Sequence, residues 1–127
     1  MNPHTRALIA AAAHAAITGG KVAGVYDHAA SRHLKIAAER RGDRLQAFDG
    51  ERSANLSGTL PDLYDDGDAA FISLEIDGMT ARGYDRGSGG FYIANVTDRL
   101  VQLYDYSESA WFAFAIQTNE DGSTATS

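Results

Sequence analysis

Five aspartates recur with the same neighbour. Asp27, Asp49, Asp65, Asp85 and Asp105 each follow an aromatic residue, namely Tyr26, Phe48, Tyr64, Tyr84 and Tyr104. Gathered at one end of a sheet, such carboxylates offer the oxygen donors that hard cations such as calcium prefer. The densest run is Asp65-Asp66-Gly67-Asp68, so Asp65, Asp66 and Asp68 are the candidate metal ligands. Their spacing does not match a twelve-residue calcium loop. An Asp at the end of a strand also has a local use, because its carboxylate can accept hydrogen bonds from amides two or three residues on. Turn capping is therefore favoured over metal binding.

The aromatics are the second candidate. Tyr64, Phe71, Tyr84, Phe91, Tyr104 and Trp111 fall on the strand face opposite the apolar one, joined by Tyr26, Phe48 and His33. Exposed aromatic rows can stack on a ligand or form a partner interface, and they can also simply pack against one another across strands. His14 is the third candidate, since an imidazole on an otherwise apolar helix must find partners when buried. Asp27, His28 and Ser31 have the residue types of a hydrolytic triad, but they share one loop, whereas a triad is normally assembled from separate elements. Arg41-Gly42-Asp43 reads as a tight turn. The glycosylation-type strings at Asn55 and Asn95 lie inside strands. No phosphate loop or dinucleotide fingerprint is present.

The elements that must hold these residues are legible. Asn2 and Pro3 suit a helix start, with Asn2 expected to cap the free amides, and Gly19-Gly20 suits its end. Between them residues 7–17 are apolar on nearly every side, which predicts a buried helix. After Lys21 the period changes to two. Each aromatic–Asp pair is followed by a small polar or Gly-rich loop and an alternating strand: Leu34 and Ile36; Leu56 and Leu60; Ile72, Leu74 and Ile76; Tyr92, Ala94 and Val96; Phe112, Phe114 and Ile116. Incoming strands place smaller residues on that face, with Ala23 and Val25 in the first and Ala81 and Gly83 in the fourth. Gly58 and Pro61 predict a bend or lost pairing between Leu56 and Tyr64.

The expected fold is therefore mainly β: an N-terminal helix, then about ten antiparallel strands in five tandem hairpins. A meander of that length hides its edges best by closing into a barrel around or against the helix. The alternative is an open, petal-like set of hairpins with the helix on one side. Residues 1–20 form the helix and part of the core, 21–117 the hairpin domain, and 118–127 a polar, disordered tail.

Tandem hairpins turning at Tyr-Asp after an Ala-rich helix resemble small bacterial proteins of unknown function, in the style of the beta-flower proteins. The resemblance spans residues 21–116, with five units here in place of four. It implies a hairpin-built β fold and brings no assigned activity. A fainter likeness is to bacterial sensor domains of the WYL type, where a helix precedes a strand like residues 22–26, although the namesake Trp-Tyr-Leu is absent.

Composition narrows function. The 127 residues carry a net charge of −6, which gives no general attraction to nucleic acid or anionic membranes. Without cysteine there are no disulfides and no thiolate metal sites. Arg6 and the apolar run after it loosely resemble a signal peptide, but His14 interrupts the run, which is too short to span a bilayer. The expectation is a soluble cytoplasmic protein, or a secreted or periplasmic one should that segment be a signal. The leading reading of function is a non-enzymatic binding or protein-interaction module without cofactor, with self-association through the aromatic face left open. The alternative is a small-ligand sensor or small enzyme with a pocket between helix and sheet, using His14.

Overall fold

The computed structural model describes residues 1–118. A helix, α1 (Pro3–Thr18), is followed by twelve strands: β1 (Val22–Asp27), β2 (Arg32–Leu34), β3 (Ile36–Arg41), β4 (Arg44–Asp49), β5 (Ala54–Thr59), β6 (Asp62–Asp65), β7 (Ala70–Ser73), β8 (Glu75–Asp77), β9 (Thr80–Asp85), β10 (Gly90–Thr97), β11 (Leu100–Asp105) and β12 (Ala110–Thr118). All pairings are antiparallel. The order runs β10-β11-β12-β1-β3-β4-β5-β6-β7-β9, and β9 pairs with β10, so the sheet closes on itself. β2 and β8 are short extra strands, paired with β1 and β9. Closure removes the open edges that a long meander would expose.

A barrel of ten strands is too wide for side chains alone to fill. The helix fills it. Twelve of its sixteen residues are buried, including every residue from Thr5 to Ala16. It packs against β1, β3, β4 and β9 to β12. There the strands carry methyl-sized residues, with Ala38, Ala47, Ala81 and Ala94 all buried. Leu56, Leu63, Ile72 and Leu74, on and just beyond β5 to β7, fill the other side with larger groups.

Helix ends are satisfied from several sources. Pro3 takes the first turn, and Gly19 (φ 76°) returns its N–H to the Ala15 carbonyl at 2.9 Å. The Arg40 guanidinium donates to the Ala16 carbonyl at 2.5 Å, placing a cation at the negative end of the helix. Asn2 has the extended backbone of a capping residue, but its side chain makes no cap hydrogen bond. Its backbone carbonyl instead accepts from the Arg6 amide at 3.1 Å.

Four local expectations are corrected. β5 and β6 stay paired through a two-residue connection at Leu60 and a cis Pro61. Gly58 permits this, because a Cβ there would collide with the Asp62 carbonyl oxygen. The interruptions fall instead at Lys35 and Leu74, which split β2 from β3 and β7 from β8. A register shift between Val22 and Gly24 turns Ala23 outward and Val22 inward. Beyond the break at Leu74, Ile76 is exposed rather than core. β12 runs to Thr118, and the rest of the tail expected to be disordered lies outside the described residues.

Candidate functional site

The five Asp turns share one geometry. Each Asp pairs with the residue five positions on: Arg32, Ala54, Ala70, Gly90 and Ala110. Its Oδ1 accepts the amide two residues on, from Ala29, Glu51, Gly67, Gly87 and Ser107, at 2.9–3.0 Å. The fourth loop position is left-handed every time: Ser31, Ser53, Ala69, Gly89 and Ser109, with φ between 52° and 72°. The amide just after each Asp donates to a carbonyl of a neighbouring hairpin, as Gly50 does to Lys35 and Tyr106 to Phe91. All five carboxylates are buried.

Asp65, Asp66 and Asp68 do not converge on a common point. Arg52 occupies the space beside two of them, 2.8 Å from Asp49, 3.6 Å from Asp65 and 3.4 Å from Asp68. Burial works against the charge of this guanidinium. The Asp49 hydrogen bond and the nearby Asp65 and Asp68 charges outweigh it and hold the group above its ordinary range. Asp66 faces elsewhere and accepts from the Asn55 amide at 2.7 Å. Among the described residues no cluster of three or more His, Cys, Asp or Glu has a metal-binding arrangement.

At the helix start the Asp105 carboxylate meets the Met1 amine at 3.4 Å and Arg6 at 3.3 Å, while Ser107 donates through both amide and hydroxyl. Burial alone would raise this carboxyl. The Ser107 hydrogen bonds and the two cations overcome it and set it below its usual range. Arg6 also lies over the Phe112 ring, 3.7 Å from its centroid.

His14 is buried, and its Nε2 is 2.6 Å from the Asp98 carbonyl. A carbonyl only accepts, so that nitrogen donates. Nδ1 lies 3.5 Å from the Thr18 hydroxyl. His14 lines neither the groove at Tyr84 and Phe91 nor those at Phe48, Arg44, Asp27 and Arg86.

The aromatics pair across strands on the outer face, as alternation requires. Tyr64 meets Phe71, Tyr84 meets Phe91 and Tyr104 meets Trp111, with ring centroids 4.6–5.1 Å apart. Tyr26 meets His33 in the first hairpin, and in the second Phe48 stands opposite Asn55. Phe71, Phe91 and Trp111 each remain more than half exposed. Cross-strand packing therefore leaves aromatic surface in water.

The structure adds a groove that this pairing did not reveal. It has a volume of about 560 Å³ and is lined by Ser73, Glu75, Arg82, Gly83, Tyr84, Phe91, Tyr92, Ile93 and Tyr106. It follows the break between β7 and β8. There Ser73 replaces a ladder bond with its hydroxyl, which accepts from the Tyr84 amide at 2.9 Å. Its carbonyl accepts from the Tyr92 hydroxyl at 2.7 Å. Tyr92 reaches it because Gly83 stands opposite; a Cβ on Gly83 would collide with the Ser73 carbonyl oxygen. Burial, reinforced by Asp85 and Glu75, pushes the Tyr92 phenol far above its ordinary range, so it stays protonated.

Strand alternation placed Tyr84 and Phe91, and by the same parity Glu75 and Arg82, on the outer face, but gave no sign that Tyr106 joins them. The available signal for Tyr106 was a second aromatic directly after the Tyr104-Asp105 pair, where the other turns carry His28, Gly50, Asp66 and Arg86. For Glu75 and Arg82 it was their outward parity beside Tyr84, which reads equally well as an ordinary solvated face.

Comparison with protein-family models, curated proteins and solved structures finds no match.

Proposed function

We propose that this protein is a non-enzymatic binding module whose working surface is the outer groove at the β7–β9–β10 seam. The observation that carries the reading is the combination of three partly exposed rings, Tyr84, Phe91 and Tyr106, with Glu75 and Arg82 in one concavity. Aromatic walls with a few polar groups are the usual composition of a ligand site. The helix supports an outside location, because it occupies the barrel centre where barrels of this size often hold their ligands. The groove lining contains no histidine or cysteine. Its serine and its buried tyrosine commit their hydroxyls to backbone partners, which supports binding rather than catalysis.

The experiment is a fragment panel titrated into ¹⁵N-labelled protein. Shifts should cluster at Ser73, Glu75, Arg82 to Tyr84, Phe91 to Ile93 and Tyr106. Shifts centred on His14, Thr18 and Asp98 would replace this reading with a sensor whose pocket lies between helix and barrel.

A further inference from the structure

We infer that the groove selects an organic cation, an alkylated ammonium group such as a quaternary amine; this rests on the binding reading above. A cation is attracted to an aromatic face when it sits within about 6 Å of the ring centroid. The Tyr84 and Phe91 centroids are 4.6 Å apart, so one cation can lie within reach of both. Tyr106 lines the same space, and its amide bonds to the Phe91 carbonyl at 3.1 Å, which fixes the two segments together.

The charges in the groove favour the same ligand. Arg82 is bonded to Asp77 at 3.2 Å, so its positive charge is already matched. Glu75 is exposed, and its carboxylate accepts no hydrogen bond or ion pair from the described residues, which leaves one negative charge unmatched beside the rings. The Ser73 backbone, which lines the groove, adds the partial negative charge of its carbonyl oxygen. Polyanions are disfavoured by this set and by the net charge of −6. A second copy docked through the same groove about a two-fold axis would bring the same unmatched carboxylate against this one. A bulky, weakly hydrated cation satisfies the rings and the carboxylate together.

The test uses the full chain and three probes: choline, its neutral isostere 3,3-dimethyl-1-butanol, and a neutral disaccharide. Binding is followed by NMR shifts of the aromatic and amide signals of Tyr84, Phe91 and Tyr106. Choline should bind with a Kd on the order of 1 mM, with the isostere roughly fivefold weaker or more. Glu75→Gln should weaken choline severalfold and leave the isostere unchanged. Phe91→Ala should weaken both while its melting temperature shows that the fold persists. Equal binding of choline and the isostere, or preferential binding of the disaccharide at these residues, would overturn the cation inference and leave the binding module standing. Absence of shifts with all three probes and with the fragment panel would remove both.

Discussion

Five buried carboxylates are a heavy electrostatic load for a small domain, because an unpaired buried charge costs several kcal/mol. The turn geometry answers this residue by residue. Each carboxylate accepts from its own loop, and three of the five have further cationic partners: Arg52 beside Asp49 and Asp65, and Arg6 with the Met1 amine beside Asp105. For Asp105 the balance is visible as a carboxyl held below its unfolded value near 3.9. A carboxylate depressed in the folded state stabilises fully above the unfolded value. That contribution is lost as pH falls from there through the folded value. Asp105→Asn should therefore be less stable at pH 7 and lose less additional stability between pH 4 and pH 2. Urea unfolding across that range measures both, and parallel curves for the two proteins would contradict the assignment. Gly83 bears a different constraint, since a Cβ there meets the Ser73 backbone rather than a movable side chain alone. Gly83→Ala should cost about 1–3 kcal/mol and dislodge the Tyr92 hydroxyl from Ser73, read by urea unfolding and by the Tyr92 ring signals.

At the scale of elements, the turns and the helix each carry a prediction. Left-handed backbone costs a non-glycine residue about 1–2 kcal/mol. Ala69 bears that cost, while Gly89 avoids it in the equivalent turn position. Ala69→Gly should stabilise by roughly 0.5 kcal/mol once the extra unfolded-state entropy is subtracted, and Gly89→Ala should destabilise by about 1 kcal/mol. Opposite signs at equivalent positions are the check. In the helix, Ala12 and Ala13 are fully buried, so an Asp at either would bury an unpaired charge. Ala12→Asp or Ala13→Asp should destabilise by more than about 4 kcal/mol, measured by thermal melts; near-native melting would mean the helix is not core.

These elements also show what can be read from sequence. The helix, the Asp turns and the outward aromatics were legible because local rules set them: an apolar run between Pro3 and Gly19, a carboxylate at a strand end, and period two. The breaks at Lys35 and Leu74, the shift at Ala23 and the outward Ile76 were not, because cross-strand register and barrel closure decide them. The groove inherits that limit. Tyr84 and Phe91 were found through alternation, and Glu75 shares their outward parity in an unbroken register with β9, whereas Tyr106 joins them from a neighbouring turn.

For the whole molecule, barrel and plug share one core. The cluster of buried residues runs continuously from Leu8 and Ile9 in the helix through Leu45, Leu63 and Tyr92 to Phe114 in the last strand. The seam that closes the sheet joins the first strand to the last, with Val25 opposite Ile116 and Asp27 opposite Phe114. Neither part can leave alone. Removing the helix would strip the methyl-sized partners from Ala38, Ala47, Ala81 and Ala94, and opening the seam would expose two strand edges and the helix between them. Unfolding should therefore be a single cooperative event. Trp111 is the sole tryptophan and packs against Tyr104 on the outer face of the β11–β12 hairpin, so its fluorescence follows the last hairpin of the barrel. Far-UV circular dichroism near 222 nm weights the helix. The two probes should give coincident urea transitions with the same midpoint. A chain ending after Tyr106, which lacks β12 and with it Trp111, should lose the cooperative helix transition followed at 222 nm and aggregate through the freed edges. Helix signal that melts earlier than the Trp111 signal would show the plug to be separable from the barrel. A cooperative helix transition retained in the truncated chain would place the helix's stability outside the shared core.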